Sequence, residues 1–177
     1  MQDAVFGALR ARSASLALLW VVGCSTGYRV SDMLQMRHTD VLNERVSLRE
    51  SKTGKWRCME LPPKVYKLVQ EHIRDQGLDD LDHFLFFGKS KATPISRQHA
   101  HRVLKSVGAE LGLANIGTHS MRKTYAYNVL LATRSFAHVK DALNHAYMST
   151  TFLYLVDGLT AMLPRPGRSG IPPSAVW

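Results

Sequence analysis

Arg45-Val46-Ser47-Leu48-Arg49-Glu50-Ser51-Lys52-Thr53-Gly54-Lys55-Trp56-Arg57-Cys58-Met59-Glu60-Leu61 is the stretch that decides the fold class. Val46 and Leu48 alternate with polar neighbours, and Cys58, Glu60 and Leu61 carry an alternation on the return. A period of two marks a strand with one face buried. Between the two runs, Ser51 to Lys55 holds Gly54 where a tight turn needs a glycine. Residues 45–61 are therefore expected to form a β-hairpin.

Outward from the hairpin the period changes. Upstream, Val5 and Leu9, then Leu16, Leu19 and Gly23, recur at helical spacing, so residues 3–24 are expected to be helical with a break near Ser13-Ala14-Ser15. Ser25-Thr26-Gly27 is a stop signal, with Gly27 suited to a left-handed terminal position. A second helix is expected from Val30 to Arg37, with Ser31 and Asp32 in its first turn. Downstream, Pro62-Pro63 opens a helix to about Gln76, striped by Val65, Leu68, Val69 and Ile73. An acidic turn over 77–83, a short strand or buried extended piece at Phe84-Leu85-Phe86-Phe87, and a basic loop with Lys89 and Lys91 follow. Ser96 caps a helix to about Leu111, and 119–132, 136–144 and 149–156 are three more helical stretches. After Gly158 a tail with Pro164, Pro166, Pro172 and Pro173 is not expected to pack as a regular element. The order predicts an α+β fold, mostly helical with a small antiparallel β-sheet, rather than an alternating βαβ chain. One domain over residues 1–160 and a tail over 161–177 are expected.

Composition narrows the function class. The 177 residues carry 23 Lys and Arg against 14 Asp and Glu, a formal charge of +9. With a pI near 9.8, this points to a polyanionic partner, either nucleic acid or an acidic membrane face. A hydrophobic share of 45% argues for a packed core and against wholesale disorder. Two cysteines, Cys24 and Cys58, are too few for a disulfide framework, so a reducing compartment, the cytoplasm, is expected. Arg10 and Arg12 before the apolar run Leu16 to Cys24 imitate a lipoprotein signal. The run falls far short of the roughly 20 residues that span a bilayer, and Asp3 spoils the basic start. A buried helix accounts for the same residues, and no membrane partner is expected.

Four segments hold candidate chemistry. Thr26-Gly27-Tyr28-Arg29-Val30-Ser31-Asp32 sets Arg29 beside a helix start, and Ser51-Lys52-Thr53-Gly54-Lys55 sets Lys52 at the hairpin tip. In Thr118-His119-Ser120-Met121-Arg122-Lys123, His119 and Arg122 share a helical face. In Leu143-Asn144-His145-Ala146-Tyr147-Met148-Ser149-Thr150-Thr151-Phe152-Leu153-Tyr154, a tyrosine stands nine residues after a histidine. Taken singly, each residue is an ordinary surface or packing residue. His99 and His101 point apart on a helix, and Asp79, Asp80 and Asp82 lack metal-loop spacing, so no metal site is expected.

Taken in order, the four segments resemble the catalytic domain of the tyrosine recombinase (phage integrase) family. Its pattern is T-G-x-R-x-S-E/D, a hairpin lysine, H-x-x-R, and L-G-H followed nine residues later by a tyrosine. The resemblance spans about residues 3–160. Four departures stand out: Asn144 replaces the glycine before His145, Lys123 stands where a second histidine is common, Asp32 replaces glutamate, and Leu155-Val156 follows the tyrosine where a histidine is often found. In that family a DNA-clamping domain usually comes before the catalytic domain, and the resemblance covers the catalytic domain alone.

The resemblance implies a site-specific recombinase that cuts and rejoins duplex DNA through a covalent 3′-phosphotyrosine, working as a tetramer on synapsed sites. It implies Arg29, Lys52, His119, Arg122, His145 and Tyr154 as the site, with neither cofactor nor metal. The chemistry agrees with the residue types. Two guanidinium forks suit non-bridging phosphate oxygens. Imidazoles add donors and a proton acceptor, and a phenol is a competent nucleophile. Lys52 suits the leaving 5′ oxygen as a general acid, with Lys55 as its competitor, and Tyr147 competes weakly with Tyr154. Two other functions fit the same fold: a non-catalytic DNA-binding regulator, and a type IB-like topoisomerase.

Overall fold

The computed structural model describes residues 2–113 and 115–162. Helices α1 (Gln2–Arg10) and α2 (Ala14–Thr26) are separated where the sequence predicts a break, because the Ser13 hydroxyl caps α2 by accepting from the Leu16 N–H at 3.3 Å. Leu16 through Trp20, Val22 and Cys24 are all buried, so α2 is apolar around its whole circumference. It is the central helix of the core, not a signal segment. Among the described residues, no helix is long and apolar enough to cross a membrane.

Gly27 ends α2 with φ +63, the left-handed turn expected of it. Helix α3 is only Val30–Met33, which corrects the expected Val30–Arg37 helix. After Met33 the chain tightens into three-residue turns, with Gln35 N–H on Asp32 O at 3.2 Å and Met36 N–H on Met33 O at 2.9 Å. The fully buried Met36 then accepts from the Leu85 N–H at 2.8 Å, and Arg37 bridges Phe84. Those tertiary bonds hold the chain extended where local propensity favours helix. Phe84–Phe87 forms isolated bridges rather than a strand, with Leu85 and Phe86 fully buried.

The hairpin is β2 (Arg45–Arg49) and β3 (Trp56–Glu60), joined by an unexpected third strand, β1 (Val41–Leu42), in antiparallel order β1-β2-β3. Leu48 pairs with Arg57 and Val46 with Met59, so Arg57 and Met59 share the inward face with the buried Val46 and Leu48. Cys58 and Glu60 are exposed, which reverses the return-strand alternation expected from sequence.

Helix α4 (Pro63–Gln76) ends at Gly77, and α5 (Arg97–Glu110) starts from the Ser96 cap. Helices α6 (Thr118–Thr133), α7 (Phe136–Ala142) and α8 (Met148–Met162) complete the described chain. Helix α8 runs through Gly158, four residues beyond Tyr154, where the sequence predicts an exit. The expected proline-bearing tail from residue 163 onward lies outside the described residues. Helix α6 packs directly on α2: a Cβ at Gly23 would sit 2.6 Å from Met121 Sδ, so only glycine allows this approach. Helices α6, α7 and α8 share a second small core of Ala126, Val139, Leu143 and Leu155, against which Tyr125 and Tyr154 pack.

Candidate active site

The left-handed turn at Gly27 delivers Tyr28 inward and Arg29 to the site. The buried Tyr28 hydroxyl sits on the backbone carbonyls of Val46 and Arg57, and its ring lies 4.7 Å beneath the Arg57 guanidinium. Arg29 Nη1 lies 3.0 Å from Oε1 of the fully buried Glu50. It is an ion pair by distance, although neither atom has an aligned hydrogen bond.

Glu50 is a junction. Its Oε2 accepts from Thr53 Oγ1 at 3.0 Å and Asn144 Nδ2 at 2.8 Å, while Arg57 stands 3.9 Å from Oε1. Burial by itself would raise its pKa. The two hydrogen bonds and the charges of Arg29 and Arg57 outweigh burial and hold it below the usual carboxylate value. Arg57 also donates to Thr26 O at 2.8 Å and Ala142 O at 2.6 Å, tying β3 to the ends of α2 and α7. Asp32 accepts from the N–H and hydroxyl of Ser51 at 3.1 and 2.5 Å, anchoring the turn that carries Lys52.

Arg122, only 5% exposed, projects from α6 and donates to Gly27 O and to Leu143 O, the latter at 2.6 Å. Burial, then the charge of Arg29, lowers its pKa to about 10, so it stays protonated at neutral pH. His145 Nδ1 is 3.0 Å from Thr151 Oγ1, and its ring meets Tyr154 edge-on at 5.6 Å between centroids. Burial first, then Arg122, Arg29 and Lys52, lower the His145 pKa to about 4. The imidazole is therefore neutral at pH 7.

The Tyr154 hydroxyl is buried and has no hydrogen-bond partner. Burial raises its pKa to about 12, against the opposing pull of Arg122 and Arg29. Lys123 Nζ lies 5.9 Å from the Tyr154 ring. His119, in the first turn of α6, has its pKa lowered by partial burial and then by Arg97, Lys123, Arg122 and His101.

The fold thus gathers Arg29, Arg122, His145 and Tyr154, with His119 and Lys52 close enough to share their field. Lys52 is exposed on the turn, and so is Lys55 three residues on. Tyr147 is 72% exposed, outside the pocket. Among the described residues, no group of three or more His, Cys, Asp or Glu side chains could hold a metal ion. Sequence reasoning missed Glu50, Arg57 and the Asn144 side chain. For Arg57 a signal existed, since pairing the hairpin by register sets it opposite Leu48. Glu50 and Asn144 meet across 94 residues and carry no local signal.

Comparison with known proteins bears on the family and the fold. The phage integrase family profile matches residues 4–157. The chain is 33% identical over 138 residues to the probable integrase/recombinase YoeC of Bacillus subtilis, covering 77% of this chain and 75% of that one. It is 28% identical to the type 1 fimbriae regulatory protein FimE of Escherichia coli K12, covering 87% of this chain and 79% of that one. The tyrosine recombinase XerA of Pyrococcus furiosus is 25% identical over 73% of this chain, which spans 46% of the relative's length. Among solved structures, XerA recombinase superposes with a TM-score of 0.75 and 20% identity, covering 91% of this chain and 61% of that one. XerH bound to its difH substrate in a pre-cleavage complex gives 0.70 at 18% identity, covering 86% and 48%.

Proposed function

This chain belongs to the phage integrase family, and from that premise we propose that it is the strand-cleaving domain of a site-specific tyrosine recombinase acting on duplex DNA. The observation that carries the reading is the Tyr154 hydroxyl, buried without a partner in the field of Arg29 and Arg122. A structural tyrosine at that depth normally has its hydroxyl bonded.

In the proposed reaction the phenolic oxygen of Tyr154 attacks the scissile phosphorus. The bond from phosphorus to the 5′ oxygen breaks, and a 3′-phosphotyrosine ester forms. Arg29 and Arg122 donate to the non-bridging oxygens, where charge builds in the transition state. His119 accepts the phenolic proton, and His145 orients Tyr154 while donating to the phosphate. Lys52 gives its proton to the departing 5′ oxygen. A 5′ hydroxyl from another strand then attacks the ester, and the protons return by the same routes. Ester energy is conserved, so no nucleotide hydrolysis is required.

The basic charge of +9 suits the DNA backbone. Phe152 and Leu153 on α8 are 55% and 64% exposed, which favours a protein contact there and supports self-association into a tetramer. The bacterial relatives favour a cytoplasmic protein. A purely regulatory protein on this fold has no use for Tyr154 in that pocket, and a topoisomerase would not exchange strands between paired sites.

The test uses nicked duplexes with randomised arms, whose short cleaved fragment diffuses away and traps the ester. The expected product is a covalent protein–DNA adduct, stable to detergent and absent in Tyr154→Phe. No adduct at any arm sequence would overturn the reading.

A further inference from the structure

Resting on that proposed function, we infer that Asn144 is a positioning residue: through buried Glu50 it fixes the loop bearing His145 to the hairpin turn bearing Lys52. Asn144 has φ +53, in the left-handed region. Its N–H bonds Asp141 O at 2.9 Å, and the His145 N–H bonds Lys140 O at 2.9 Å. This pair of bonds closes α7 in the manner for which glycine is the usual residue. Glycine is also what the family pattern has here. Asparagine tolerates the same backbone and adds one group, the side-chain amide.

That amide is used. Asn144 Nδ2 donates to Glu50 Oε2 at 2.8 Å, and Thr53 Oγ1 donates to the same oxygen at 3.0 Å. Thr53 is the neighbour of Lys52, and Asn144 is the neighbour of His145. One carboxylate oxygen, with no exposure to water, therefore joins the two segments that must meet across a scissile phosphate. Arg57 makes a second tie, from β3 to Ala142 O, but it reaches the strand and not the turn. The Asn144–Glu50 bond bears on the turn itself, and with it on where the Lys52 ammonium sits. Misplacing an acid by an ångström can cost about 100-fold in rate.

Two variants separate positioning from folding. Asn144→Gly keeps the backbone turn and removes only the amide. Asn144→Asp keeps the turn and sets a second carboxylate against Glu50, and two such groups share a proton as the pH falls. Adduct formation is timed on a nicked duplex that the wild type cleaves, and on its twin with sulfur at the bridging 5′ position. Asn144→Gly is expected to be slowed about 10- to 100-fold on the oxygen substrate and to come within about threefold of wild type on the sulfur one, because a thiolate leaves without an acid. Asn144→Asp is expected to be slow at pH 8 and to regain rate, relative to wild type, toward pH 6, as the shared proton restores the bond. Unchanged rates for Asn144→Gly, or equal losses on both substrates, would overturn the inference while leaving the recombinase reading intact. A wild type that forms no adduct sinks both.

Discussion

Tyr154→Phe should make the protein inert and, at the same time, more stable. The Tyr154 hydroxyl is buried and unpaired, while the ring packs against the small core of Ala126, Val139, Leu143 and Leu155. An unsatisfied buried polar group costs about 1–3 kcal/mol. Phenylalanine keeps the ring, its packing and its edge contact with His145, and deletes only the oxygen. A gain of about 1–2 kcal/mol is the expected result. In a protein of this size that raises the melting temperature by about 3–6 °C. The assay is thermal unfolding of both proteins without DNA, beside adduct formation and equilibrium binding on one nicked duplex. Binding should stay within about threefold, because the phosphate contacts come from arginines. A melting temperature lowered by the substitution would refute the unpaired hydroxyl. A variant that still forms the adduct would move the nucleophile to Tyr147.

Lys52→Ala should be severely slowed on ordinary DNA and largely rescued by bridging sulfur, since a thiol pKa near 8.5 replaces an alcohol-like value of about 15.7. Lys55→Ala run in parallel identifies the acid: rescue of Lys55→Ala alone would displace the assignment by three residues. His145 has a folded pKa of about 4, below its ordinary 6.5, so its contribution to stability is present above pH 6.5 and is lost as the pH falls toward 4. Replacing His145 with Gln should therefore flatten the pH dependence of chemical denaturation across that window, and an unaltered slope would contradict the half-buried neutral imidazole. Cleavage should survive EDTA, because Arg29 and Arg122 supply the positive charge that metals supply elsewhere; a strict magnesium requirement for adduct formation would falsify that.

What the sequence shows of this site is what is local to each segment. Gly27, Ser96 and the spacing from His145 to Tyr154 act within a few residues, so turn chemistry and helix period expose them. The apolar helix α2 is legible for the same reason, as a run too short for a bilayer and too apolar for a surface. Helix α3 escapes because its length is set from outside: the bond from Leu85 N–H to Met36 O overrides local preference. Arg57 illustrates a finer limit. Its strand is evident, but its face follows from pairing with Leu48, and a one-residue change of register would turn it outward.

The way Arg122 is held explains how so cationic a pocket keeps its charge available. A guanidinium has five N–H donors. Arg122 commits two of its bonds to backbone carbonyls, Gly27 O and Leu143 O, which are neutral acceptors. Its remaining donors are free of any carboxylate contact, and its full charge is not cancelled. Arg29 and Arg57 share the single carboxylate of Glu50, and Arg57 is further occupied by Thr26 O, Ala142 O and the face of Tyr28. Arg57 is thus the structural arginine, Arg29 is held against Glu50 at the edge of the site, and Arg122 is the one of the three with no carboxylate contact. Burying Arg122 and setting it near Arg29 carries an electrostatic penalty, visible in its lowered pKa and, after the effect of burial, in that of His145. A phosphodiester entering the pocket brings the anion that relieves this strain among like charges. The positive field that, together with the larger effect of burial, lowers the His145 pKa in the free protein therefore favours the phosphate, and most strongly the transition state, where negative charge on its oxygens is greatest.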